Sequence, residues 1–331
     1  MFGWQKRTGK VFQRTKNTTD PKFGKRPEDR SIQELLTSSI VIIDKPAGPT
    51  SHQVSSYVRD ILGIKKTGHS GTLDPKVVGV LPVALGKGTR VVQNLLPAGK
   101  EYVVLMHVHD DLAPDVVNKA IMSFLGRINQ LPPVKSAVKR RQRFRTIYEI
   151  ELLDAKGRDY LFRVQCQAGT YMRKLCSDIG QKLGCGAHMA ELRRTMAGPF
   201  SEKDAVTLHD LKDAFYYYTK EGDETKLRKM LLPLERAVEH LPKIWVEDSA
   251  INSLCTGSTL KIPGINKFEI ELARDDSVAL LSLKNELVSV GTALVHGKDL
   301  RQKEKGIAVK SSQVFMDPSV YPKIENILAS K

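Results

Sequence analysis

The chain is short of the residues that build most metal and redox centres. Among its 331 residues are four cysteines, Cys166, Cys176, Cys185 and Cys255. None forms a C-x-x-C pair and only His188 stands near any of them, whereas a zinc site needs four ligands at tighter spacing. The thiols are therefore expected reduced, in or near a core, and no metal is expected. Long apolar runs are missing too. None approaches the roughly 20 residues of a spanning helix, and the opening MFGWQKRTGK does not read as a signal peptide. A soluble intracellular protein is expected. Acidic residues are the scarcer sign of charge: 37 Asp+Glu against 52 Lys+Arg leave a net +15. Such an excess favours a polyanionic partner, nucleic acid first, with an anionic membrane surface as the competitor. What is present in quantity is apolar material, 41% of the chain, enough for a globular protein with two domains and a sizeable core.

Residues 1–38 carry nine Lys/Arg against four Asp/Glu. Apolar positions there are few and aperiodic, which predicts a basic extension that stays mobile or leans on another domain. Order begins at Ser39 with the β-branched run SIVIID. After the turn PAGPTSHQ, Val54, Tyr57, Val58, Ile61 and Leu62 fall at helical spacing and Gly63 closes the segment. Pro114 to Gly126 reads as a second amphipathic helix. Alternation on both sides of AKGR predicts a hairpin. A further helix in TYMRKLCSDIGQKLG is expected to start at Thr170 as N-cap. Strands and helices mix without a βαβ rhythm, so the fold class is α+β. Beyond LPKIWVEDSA (241–250) come short strands in STLKIPGI, VALLSLKNELVSVGTALV and GIAVKSSQVF, with turns at Lys284-Asn285 and Gly291. They suit a small β-barrel-like module of about 80 residues. The last dozen residues look frayed.

In HSGTLDPKVVGVLPVALGKGTRV, Asp74 has no second carboxylate within ten residues on either side. Proline after it keeps its backbone extended, and Gly71 can supply a positive φ ahead of it. On pattern alone Asp74 is either a turn residue or a lone nucleophile. GKGT at 86–89 lacks the glycine five residues upstream that a phosphate-cradling loop needs, which excludes a P-loop nucleotidase. Arg173 falls in the first turn of a helix, where the macrodipole disfavours a cation. A carboxylate partner or a plain surface position would each account for it. Six of the eleven residues from Lys135 to Arg145 are basic, with Phe144 among them. This run, and Arg193-Arg194, are either solvated faces or nucleic-acid contacts. Tyr102 is a half-buried strand tyrosine or a plate for a base to stack on. His107 and His109 lack partners for a ligand set and read as structural.

Taken in order, DKPAGPTSHQV, HSGTLDPKVVGVLPVALGKGTRV, AGKEYVVLM, AGTYMRKLCSDIG and AHMAELRRTMAGPF resemble the pseudouridine synthases of the bacterial transfer-RNA T-loop type, the TruB-like family. The nearest resemblance is to the dyskerin-like catalytic subunit of archaeal box H/ACA guide-RNA particles. It runs from about residue 30 to residue 320. It implies a catalytic domain over 39–240, with a mixed, mostly antiparallel sheet flanked by helices. It also implies a β-barrel-like PUA RNA-binding domain over 241–319, a tail at 320–331, and an extension at 1–38 packing on the PUA domain. The implied activity is an isomerase that makes pseudouridine in tRNA or rRNA without cofactor or metal.

Residue by residue, Asp74 matches the catalytic aspartate, as nucleophile or base. Tyr102 matches the tyrosine that stacks on the base and is a candidate for removing the C5 proton. Arg173 matches the arginine paired with the aspartate. Tyr171 and Leu192 match pocket-lining positions, and Lys45, Pro46, His69 and Thr72 fall in motifs that shape the cleft. Lys135, Lys139, Arg140, Arg141, Arg143, Arg145, Arg193 and Arg194 are the expected RNA contacts. A lone carboxylate argues against glycoside hydrolysis, which uses two.

Within the family, three features favour a guide-dependent enzyme: the basic extension, the short passage from SAVKRRQRFR to the hairpin, and the large C-terminal module. The implied partners are an H/ACA guide RNA, an rRNA or tRNA substrate and three small proteins: zinc-ribbon-like, glycine-arginine-rich in type, and kink-turn-binding. No membrane is involved. The absence of a long lysine-rich tail points to an archaeal, cytoplasmic protein, where a eukaryotic one would be nucleolar. The alternatives are a stand-alone tRNA pseudouridine-55 synthase and a non-catalytic RNA scaffold.

Overall fold

The computed structural model describes residues 9–131 and 141–323. The described residues divide into two compact units, one built from 41–84, 92–131 and 141–230, the other from 9–40, 85–91 and 231–323. Among the described residues no helix is long and apolar enough to cross a membrane.

The first unit is organised by a twisted sheet. Its strands run in the order Ser39–Lys45, Val78–Leu85, Ala187–Ala197, Lys100–Val108, Asp159–Cys166, Arg143–Lys156 and Gly126–Gln130. Pairing is antiparallel from Ala187–Ala197 onward, and Val78–Leu85 joins Ala187–Ala197 in parallel. The hairpin expected at AKGR forms, with Gly157 at φ 59° in its turn. Alternation along Lys100–Val108 sends Val104, Met106 and Val108 to one face, where they are buried with Phe162, Val164, Leu175, Cys176 and Ile179. The last three come from the helix Met172–Leu183, and Val117 and Ile121 of the helix Pro114–Met122 pack in the same cluster. Tyr102 continues the same parity to the end of the strand, so the core stripe delivers it to the sheet's rim.

In the second unit the strands expected from the C-terminal sequence close a seven-stranded sheet. It includes Lys243–Val246, Ile265–Glu269, Ser277–Leu281, Leu287–Ala293 and Ile307–Val314. Asn285 takes the turn with φ 65°. Gly291 departs from expectation: it lies inside a strand, paired with Ser311 at a register shift, and a side chain there would strike the Lys310 backbone. Residues 9–38 also hold more structure than their composition suggested. Val11–Gln13 pairs with Ile265–Glu269. Ser31 and Glu34 form a capping box that starts the helix Ile32–Thr37. Gly24 turns with φ 62° beside the buried Glu286 carboxylate, which accepts from Lys25 N (3.0 Å), Ser282 Oγ (2.8 Å) and Tyr321 Oη (2.6 Å).

Candidate active site

The loop carrying Asp74 is held from two sides. Ser51, the first residue of the helix Ser51–Ile61, exchanges hydrogen bonds with the Leu73 amide (2.8 Å) and carbonyl (3.2 Å). From the sheet, Lys45 Nζ donates to the carbonyls of Pro46 (2.8 Å), Pro75 (3.1 Å) and Val77 (2.9 Å). Three ammonium protons meet three carbonyls, which makes good much of the cost of burying the charge; burial pushes the Lys45 pKa down, and Asp74 opposes that. Lys45 is fully buried and does not line the cleft, a correction to its expected place in the substrate pocket. It grips the loop from behind.

Opposite Asp74 stands the start of the helix Met172–Leu183. Its N-cap is Tyr171, not Thr170, and no side chain of its own caps it. Thr170 Oγ1 instead donates back to Gln167 O (2.7 Å). The side chain of Gln130, 2% exposed, accepts from Tyr171 N (3.0 Å) and donates to Tyr171 O (3.2 Å). That clamp fixes the helix start, and a glutamine at the end of a distant strand gave no local sign of it. Arg173, the second helical residue, reaches across to Asp74, with Nη2 3.1 Å from Oδ2. Both side chains are about half exposed, so the pair stands open in the cleft wall and its attraction is screened. A nucleotide laid over it would desolvate it and strengthen the attraction.

The cleft has a volume of about 590 Å³ and is lined by Thr72, Asp74, Tyr102, Tyr171, Arg173, Leu192 and Arg194, among others. His69 lies behind the same loop without lining it; burial first, then His52 and Arg194, hold its imidazole toward the neutral form. Lys100 closes one end. Its Nζ donates to Leu95 O (3.0 Å), Leu96 O (3.0 Å) and Ala98 O (2.5 Å), capping the short helix Val92–Leu95 where a cation suits the dipole. Burial pushes this ammonium down to about 7.

The expected RNA contacts divide. Lys135, Lys139 and Arg140 lie outside the described residues. Arg141 is exposed, and Arg143 and Arg145 are partly so. Arg145 Nη1 donates to Phe144 O (2.7 Å), and the exposed Phe144 ring carries the Arg127 guanidinium at 3.9 Å. Arg193 and Arg194 are placed differently from a phosphate-binding patch. Arg193 grips Asp44 with two bonds of 3.1 Å and also pairs with Glu202, so its charge is already matched. Arg194 is 1% exposed. Its Nε donates to Val80 O (2.7 Å) and its Nη2 to Gly71 O (3.5 Å), and Tyr102 favours its charge against burial. His109 Nε2 and His188 Nδ1 lie 2.9 Å apart, and His107 Nδ1 is 2.7 Å from Asp159. Among the described residues no group of three His, Cys, Asp or Glu is arranged to hold a metal.

Comparison with known proteins matches the chain nearly end to end. The TruB family pseudouridylate synthase N-terminal domain matches residues 59–172, and the tRNA pseudouridylate synthase B C-terminal domain matches 173–239. A PUA domain matches 242–315 and a DKCLD (NUC011) domain 4–55. A probable tRNA pseudouridine synthase B of Methanopyrus kandleri is 51% identical over 305 residues, covering 92% of this chain and 90% of the relative. That of Pyrococcus furiosus is 51% identical over 307 residues, covering 92% and 90%. Among solved structures, a Cbf5-Nop10-Gar1 complex contains a chain 49% identical, with a TM-score of 0.93 and 98% of each chain covered. An H/ACA RNP bound to a substrate RNA containing 2'-deoxyuridine contains one 48% identical, with a TM-score of 0.90, covering 96% of this chain and 98% of that one. A carboxylate–guanidinium pair and a half-buried tyrosine around a nucleotide-sized cleft, in a chain half identical to these relatives over nine-tenths of its length, place this protein in the TruB family of pseudouridine synthases, RNA isomerases with a PUA domain.

Proposed function

We propose that this chain is the catalytic subunit of an RNA-guided pseudouridine synthase, with an H/ACA-type guide choosing uridines in rRNA. The observation that carries the reading is the Asp74–Arg173 pair at 3.1 Å in a cleft that also presents Tyr102. Pseudouridine formation breaks N1–C1′, turns the uracil and rejoins it through C5. The base has to leave its stack, which costs a few kcal/mol, and Tyr102 offers an aromatic face against that cost. Asp74 acts ionised, whether its oxygen attacks or takes a proton. Covering by substrate desolvates the pair and strengthens its attraction, so Arg173 holds the carboxylate in place. Tyr102 receives the C5 proton at the end. Thr72, Tyr171 and Leu192 complete the pocket wall, and Arg141, Arg143 and Arg145 contact the RNA backbone.

The partner reading is supported by the similar chains' occurrence in a complex with Nop10 and Gar1 and in an H/ACA RNP bound to a substrate RNA. We extend the same kind of partners to this chain: a guide RNA and three small accessory proteins, in the cytoplasm of an archaeal cell. The curated relatives' naming as tRNA pseudouridine synthases favours a second activity on the tRNA T-loop without a guide. Tritium release from C5-tritiated RNA tests both. Release from rRNA fragments only with guide and accessory proteins is the expected result, and release from tRNA alone would mark the second activity. No release in either setting would leave a non-catalytic RNA scaffold and overturn the proposal.

A further inference from the structure

Arg194 is a cation nine-tenths and more buried, on the floor of a cleft otherwise rich in positive charge. Lys100 and Arg173 line the same cleft with a single carboxylate, Asp74, which Arg173 already holds. Burial acts against the Arg194 charge, and Tyr102, its partner across the strands, favours it. Its backbone ties are a bond from Nε to Val80 O (2.7 Å) and a long one from Nη2 to Gly71 O (3.5 Å).

The backbone is shaped to bring these two side chains together. Tyr102 and Arg194 face each other across adjacent strands. Between Glu101 and Tyr102 the register slips by one, leaving Thr195 as an extra residue on the partner strand. Such a bulge re-aims side chains, and here it turns Arg194 to the Tyr102 side while Arg193 goes to Asp44. On the other flank, Gly79 pairs with Arg194 at φ 107°, and a side chain at Gly79 would strike the Arg194 backbone.

We infer that Arg194 is a positioning residue for the isomerisation. It fixes the Tyr102 oxygen at the cleft floor and supplies the positive charge against which that oxygen becomes a phenolate and takes the C5 proton. The inference rests on the proposed role of Tyr102. Once C5 is joined to C1′, it is tetrahedral and the ring holds an N1=C6 bond. Tyr102 gives its hydroxyl proton to solvent, and the C5 proton then passes to the phenolate. Its electron pair becomes C5=C6, the N1=C6 pair moves onto N1, and N1 takes a proton from solvent. Burial pushes the phenol's own pKa up, Cys166 and Asp74 push the same way, and Arg194 pulls it back.

The test is single-turnover tritium release with the RNA and partners that sustain wild-type turnover. Arg194→Gln is expected to slow release about 100-fold and Arg194→Lys less. 3,5-Difluorotyrosine at position 102, a more acidic phenol, is expected to restore at least about tenfold in the Arg194→Gln chain and to add little in the wild type. A structural role would not respond to phenol acidity, so failure of this rescue in a chain that melts like wild type overturns the inference. Should Arg194→Gln not fold, Arg194→Lys with and without the analogue decides by the same criterion. Tyr102→Phe separates the two readings: wild-type turnover would remove Tyr102 from proton transfer altogether, whereas a dead Tyr102→Phe with no rescue removes Arg194 alone.

Discussion

A carboxylate and a guanidinium 3.1 Å apart, each half exposed, set the terms of the chemistry. Asp74→Asn keeps the shape of the loop and loses the charge. It is expected to abolish tritium release while RNA affinity, read by filter binding, stays within about threefold, since affinity for RNA comes largely from cations that meet phosphates and a carboxylate is not one. Arg173→Ala is expected to cost about 100-fold in single-turnover rate, with most binding retained. Lys100 gives a prediction in pH. Its folded pKa, about 7, lies below the unfolded value of roughly 10.4. Between these the unfolded chain binds the extra proton, so stability rises with pH through that window and the burial penalty is in full force below 7. Lys100→Met lacks this term. The difference in urea midpoint, wild type minus variant, is expected to grow from pH 7 to 10, and a flat difference would show that Lys100 keeps its proton against its three carbonyls.

Elements that carry their own periodicity were legible. The apolar spacing from Val54 to Leu62 and the alternation around Gly157 gave a helix and a hairpin where they stand. The helix Ile32–Thr37 escaped notice because it is a short turn-and-a-half whose clearest sign is Ser31-x-x-Glu34. In the site, ordered motifs singled out Asp74, Tyr102 and Arg173, which the fold gathers in one cleft. Lys45 and Arg194 looked like cleft or surface cations, because a sequence does not show the backbone carbonyls that let a charge be buried. Gln130 was invisible for the same reason: its partner is the backbone of Tyr171, 41 residues away. Strand pairing gives the test at this scale. Gly79→Ala puts a methyl against the Arg194 carbonyl at φ 107°. Strain and the clash together are expected to cost about 3 kcal/mol or more, read as a lowered melting temperature, with turnover falling because Arg194 shifts.

For the molecule as a whole, the net charge of +15 predicts RNA binding that weakens steeply with salt. Replacing Arg141, Arg143 and Arg145 by Gln is expected to lower the slope of log affinity against log salt by about one for each arginine that meets a phosphate. An unchanged slope would take that run off the RNA.

Within the second unit, Val11–Gln13 finds its sheet partner at Ile265–Glu269, more than 250 positions later in translation. At about 5–20 residues per second this strand waits tens of seconds for the one it pairs with. During that wait a basic, unpaired segment is available to chaperones and to nascent RNA. The order of synthesis thus makes this pairing one of the last steps in maturation, after the first unit's own sheet has been completely translated.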